Sequence, residues 1–203
     1  QLLRNRAANG GGIYVSGNTA GASRMVNVLL AANTAITNGA ALYLYSAGSG
    51  STVRSATIVH TTIASPTVGA SQAIFVGKPT AYTPTVNITN TLIASYTTGI
   101  SVAAGALVSS DYNYFNHAPT SIDIGSHSIS GTEHYLLFVD ATADDYRPAL
   151  GSPAPTHAIS TTVTTDLDGQ PRTDPPTIRA SEGTPYPNVW LTKAVTPTRA
   201  PSF

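Results

Sequence analysis

Four short segments of this chain carry one pattern: GGGIYV at 10–15, GAALYLY at 39–45, SQAIFV at 71–76 and TGISV at 98–102. Each opens on small residues and continues with alternating apolar positions. Ile13, Leu42, Ile74 and Ile100 are equivalent, with spacings of 29, 32 and 26 residues. A second series, VNVLLAAN at 26–33, ATIVHTTIAS at 56–65 and VNITNTLIAS at 86–95, aligns Leu30, Ile63 and Ile93. Asn27, Asn33, Asn87 and Asn90 recur beside these strands, with Thr57 or Ser65 standing in the middle copy. The two series keep their order through every cycle. Short strands and Gly/Asn/Ser turns at this period predict a right-handed parallel β-helix, a solenoid in which each cycle is one coil. A β-sandwich with chance similarity is the alternative.

One coil cannot stand alone. Each inward apolar side chain contributes about 1.5–3 kcal/mol on full burial, while ordering each backbone residue costs about 1–2 kcal/mol. Stacked coils pair strand on strand and share a continuous core. Asn suits the corners because it tolerates left-handed geometry, and stacked Asn side chains are expected to form ladders between coils. The stretch NRAANGGGIYV at 5–15 then reads as the tail of a coil. That predicts further coils before it or a partner over its open edge.

Composition agrees with an all-β chain. Charged residues make up only 10% of the 203, and Thr, Ser, Ala, Gly and Asn fill the gap. No apolar run approaches ~18 residues, so no membrane span is expected. The absence of cysteine excludes disulfides and thiolate metal sites. Residues 1–110 hold five bases and no Asp or Glu, and all ten acids follow from Asp111 onward. The bases are scattered, which argues against nucleic-acid binding.

The strict cycle fades after Phe115. SSDYNYF at 109–115, FVDATADDYRPALGSPA at 138–154, DLDGQPR at 166–172 and IRASEG at 178–183 follow. Together with GGGIY, this order resembles the C-terminal portion of secreted bacterial right-handed parallel β-helix repeat proteins of the choice-of-anchor surface type. The resemblance covers residues 5–183 and departs at Pro155, Thr156 and Thr177. It implies the fold, an extracellular or cell-surface location and no particular activity. The division expected is coils over 1–117, a last coil and C-terminal cap over 118–183, and a Pro-rich tail over 184–203. Phe138, Val139, Tyr146 and Leu150 are expected to cover the last coil's apolar end. Within the tail, Val189, Trp190 and Leu191 read either as linker or as a strand that docks on a neighbouring edge.

Candidate chemistry is sparse. Acid–base cleavage of polysaccharides needs paired carboxylates, and the coil region has none before Asp111. DLDG looks like a calcium-loop fragment, which makes Asp166 and Asp168 weak candidate ligands for a structural calcium. The twelfth position of such a loop is Thr177 where a Glu is required, so turn-stabilising aspartates are the favoured reading, and no catalytic residue or cofactor is assigned. His60 reads as an outward-facing strand residue. Asn87-Ile88-Thr89 fits a glycosylation pattern. Threonine does not hold the register of an ice-binding array. Tyr14, Tyr43, Tyr45, Tyr82 and Tyr96 lie in or near coils, either stacked inward or exposed for sugar rings. The expectation is an extracellular structural or adhesive protein that associates head to tail. A polysaccharide-binding or polysaccharide-cleaving protein is the alternative.

Overall fold

The computed structural model describes residues 1–17, 21–46, 54–77, 83–120, 122–132, 137–149, 151–152 and 157–183. The tail residues Val189, Trp190 and Leu191, and also Leu150 and Tyr82, lie outside the described residues. The chain is all-β, and its main sheets are parallel.

Three flanks are built in rotation. The first holds Ile13–Gly17, Leu42–Ser46, Ala70–Gly77 and Tyr96–Val102, side by side in that order. The second holds Gly21–Val26, Arg54–Val59, Thr85–Thr89 and Leu107–Asp111. The third holds Leu2–Leu3, Leu29–Ala31, Thr62–Ala64, Leu92–Ala94, Tyr114–Asn116 and Ile129–Gly131. Each circuit of the chain lays its strand beside the one from the circuit before. Ile13 pairs with Leu42, Leu42 with Ile74 and Ile74 with Ile100. Leu30, Ile63, Ile93 and Phe115 form the matching column on the third flank, and Met25, Ile58 and Ile88 that on the second. All but Ile13, which packs against its edge, belong to one buried cluster.

Left-handed residues bracket the three-residue strands of the third flank. Asn27, His60, Asn90 and Tyr112 have φ of 55°, 49°, 53° and 57° where the chain enters it. Arg4, Ala32, Ser95 and His117 take φ of 56°, 55°, 71° and 44° where it leaves. The corner N–H groups stay bonded because the neighbouring circuit supplies the carbonyl: Asn27 N donates to Val59 O, His60 N to Thr89 O and Asn90 N to Tyr112 O. Asn is at ease at such φ, whereas His, Tyr and Ala are strained there by about 1–2 kcal/mol each. His60 is therefore a buried corner residue, 0% exposed, and not the outward strand residue its sequence context suggests.

The third flank is covered on both sides, which is why LLA, TIA and LIA carry no polar alternation. Leu29, Ala31, Ala64, Leu92, Ala94 and Tyr114 face a second core completed by Leu137, Phe138, Tyr146, Ala158 and Ile178. Phe138–Asp140 and Asp145–Pro148 pair antiparallel around a short turn. This corrects the expected cap. Phe138 and Tyr146 pack on the flank, Val139 is exposed, and Ala118, Ile122 and Ile124 cover the inner core beyond the last strands.

Candidate functional site

The segment 157–183 forms a strap along the third flank. It crosses the corner column in reverse order: Ile159 meets Asn90, Thr161 meets His60 and Thr165 meets Asn27. Asn27 Nδ2 donates to Thr165 O at 2.7 Å, and Ala180 N donates to Thr62 Oγ1 at 3.1 Å. The asparagines at these corners thus bond to the strap instead of stacking on one another, because His60 separates Asn27 from Asn90. A stacked pair does occur at Asn5 and Asn33, whose side chains lie 3.1 Å apart.

His60 Nε2 lies 3.1 Å from both Thr161 Oγ1 and Asn90 Nδ2. The Asn90 amide is fixed by its bonds to Ile159, so its N–H faces the ring and Nε2 must accept. The proton then sits on Nδ1. Burial first, and the Arg172 charge second, lower the His60 pKa to about 4, against smaller opposing effects of the Thr177 carbonyl and Glu182.

Arg172 and Glu182 form a buried ion pair at 2.6 Å, with side chains 3% and 6% exposed. Arg172 also reaches Asn27 Oδ1 at 2.6 Å and Ala180 O at 3.0 Å. Glu182 accepts from Thr177 N, Thr177 Oγ1 and Thr173 Oγ1. Burial opposes the Glu182 charge, but bonds from Thr177, Thr173 and Arg172 outweigh it and hold its carboxyl below the ordinary value.

Asp166 and Asp168 are brought together around Ser181. Asp166 is buried, with Oδ1 accepting from Asp168 N at 2.9 Å and Gln170 N at 2.8 Å. Its Oδ2 accepts from Glu182 N at 2.7 Å and Ser181 Oγ at 3.4 Å. Asp168 Oδ2 accepts from Ser181 Oγ at 2.7 Å. Four donors occupy Asp166, the arrangement of a carboxylate that closes a turn. Among the described residues no three His, Asp or Glu side chains gather as a metal site.

The other carboxylates are likewise engaged. Asp144 bonds to Arg4 at 2.5 Å, Asp145 to Arg147 and Asp140 to its own turn. Asp111 bonds to His127 Nδ1 at 2.8 Å, and His127 stacks on Tyr112. Ser126 Oγ approaches that same nitrogen at 3.3 Å, so acid and serine do not stand on opposite sides of the ring as nucleophile activation requires.

The first flank carries an outward ladder of rings. Tyr14 and Tyr43 stack with centroids 5.0 Å apart at 4°, and Tyr43 and Phe75 at 5.2 Å and 20°. Tyr45 leans on Tyr43 at 5.7 Å. Alternation decides the direction: Leu42 and Leu44 enter the core, so Tyr43 and Tyr45 face out. Gly77 makes room, since a Cβ there would lie 2.9 Å from both Phe75 and Tyr45. Among the tyrosines noted in the sequence, Tyr96 instead faces inward and donates to Ala64 O. Phe75 was not singled out by sequence reasoning, although the column Tyr14, Tyr43, Phe75, Ser101 is visible once the repeats are aligned. Comparisons with protein-family models, characterised proteins and solved structures find no match.

Proposed function

We propose that the chain is a right-handed parallel β-helix that serves as a structural, adhesive element outside the cell. The observation that carries this reading is the in-register parallel pairing through residues 13, 42, 74 and 100. Circuits stacked in this way make a stiff body with long regular flanks. The likeness of GGGIY, DYRPALGSPA and DLDGQPR to secreted bacterial surface proteins supports the location. Head-to-tail self-association belongs to the proposal. Ile13–Gly17 and Gly21–Val26 are end strands of their sheets, and their outer edges have no partner strand among the described residues. Val189, Trp190 and Leu191 would supply the docking strand, and a non-closing contact of that kind extends into a filament. Electron microscopy and light scattering of the full chain and of one lacking 184–203 test it. Fibres from the first and folded monomers from the second are expected. Equal assembly by both overturns the role of the tail, and monomers from both overturn self-association.

A second reading, polysaccharide binding, is favoured by the outward rings of the first flank. Polysaccharide cleavage draws less support, because the carboxylates named above are each held by a cation or a turn.

A further inference from the structure

On the first flank the ladder of rings stops one rung short. Tyr14, Tyr43 and Phe75 are successive register partners, and the next partner of Phe75 is Ser101. Tyr43 stacks against one face of Phe75. On the opposite side stands only a hydroxymethyl group, and Phe75 is half-buried rather than closed off. Beside Ser101 opens a groove of about 430 Å³, lined by Thr97, Thr98, Ser101, Pro119 and Thr120. Its lining has hydroxyls and a proline ring but no charged side chain.

We propose that this missing rung seats one ring of an uncharged polysaccharide. The inference rests on the polysaccharide-binding reading above and assigns it a place. A pyranose presents an apolar C–H face and a rim of hydroxyls. The apolar face matches a free aromatic face, as the preceding rings match one another. The rim matches Thr98 and Ser101, which can donate and accept. Thr120 Oγ1 already donates to Ile100 O at 2.9 Å and is left as an acceptor. A carboxylated or sulfated sugar would find no cation in the lining to balance its charge. Neutral, hydroxyl-rich ligands are therefore selected over anionic ones. Circuits lie about 4.8 Å apart, so further sugar units of a bound chain run over Thr98 and Thr97 at the surface.

Affinity electrophoresis of the full chain tests this, with hydroxyethyl cellulose as the neutral probe and polygalacturonate as the anionic one. Retardation by the first and not the second is expected. Ser101→Tyr supplies the missing ring. It should keep or raise the melting temperature and weaken retardation at least tenfold. Phe75→Leu keeps apolar bulk without a ring face and should weaken it by a similar factor, with folding checked by circular dichroism. If the wild type binds the neutral glucan and both folded variants bind it equally well, polysaccharide binding stands and this seat is wrong. If the wild type is retarded by neither probe, or by polygalacturonate alone, the seat is also overturned.

Discussion

Asn90 grips Ile159 from both sides. Its Oδ1 accepts from Ile159 N at 3.0 Å and its Nδ2 donates to Ile159 O at 2.7 Å. One side chain thus replaces a backbone ladder pair between residues 69 apart, and it does so from a left-handed corner.

Asn90→Ala removes both bonds, leaves two part-buried backbone groups unpaired and strains the corner. A loss of about 2–4 kcal/mol is expected from these effects together. Urea melts of the variant measure it. A midpoint unchanged from wild type would mean that the strap is held elsewhere.

Acid should loosen the strap through His60. Its folded pKa is lowered to about 4 from an ordinary 6.5, so the unfolded chain takes up the proton first. The stabilisation is therefore complete above pH 6.5 and is lost as pH falls toward about 4, with an upper bound of about 3 kcal/mol at 1.4 kcal/mol per pH unit. His60→Asn places at this corner the residue already present at Asn27 and Asn90, and should flatten stability between pH 6.5 and 4.5. Hydrogen exchange over 157–166, followed against pH in both proteins, is the measurement. Equal acid lability in the two would remove His60 as the cause.

Glu182 acts lower on the pH scale. Its folded pKa lies below the ordinary 4.5, so its contribution is present above that value and is lost as pH falls through the folded pKa. At neutral pH, Glu182→Gln leaves Arg172 buried without its counter-charge, and a cost of about 3–5 kcal/mol is expected. Replacing both residues, Arg172→Met with Glu182→Gln, should recover part of it. Thermal melts at pH 7 compare the three. A single variant as stable as wild type would show that the pair contributes nothing net.

Calcium removal should leave the fold unmoved. Asp166 already accepts four hydrogen bonds, two from its own turn and two from residues 181 and 182. Melting curves in EDTA and in millimolar calcium are expected to superimpose, while Asp166→Ala lowers the midpoint in both. A midpoint that rises with calcium would reassign Asp166 and Asp168 as ligands.

The circuits were legible in the sequence because their cause is local and repeated. Alternating apolar residues at Ile13, Leu42, Ile74 and Ile100 specify the same inward face each time, and stacking multiplies a weak preference into one register. The aromatic ladder was half legible. Tyr14, Tyr43 and Tyr45 were visible, but their direction follows from Leu42 and Leu44 entering the core. The path of residues 137–183 was not legible. Phe138 and Tyr146 are apolar enough to cover either the open end or the flank, and composition does not choose between them.

What the amino-acid order determined by itself is the all-β character, the period and the inward columns, since each depends on residues a few positions apart. Only the folded chain decided that His60 is a buried acceptor, that Asn27 meets Thr165 138 residues away, and that the rings end at Ser101. Those outcomes depend on which distant surfaces meet, and many surfaces of similar polarity compete for each partner.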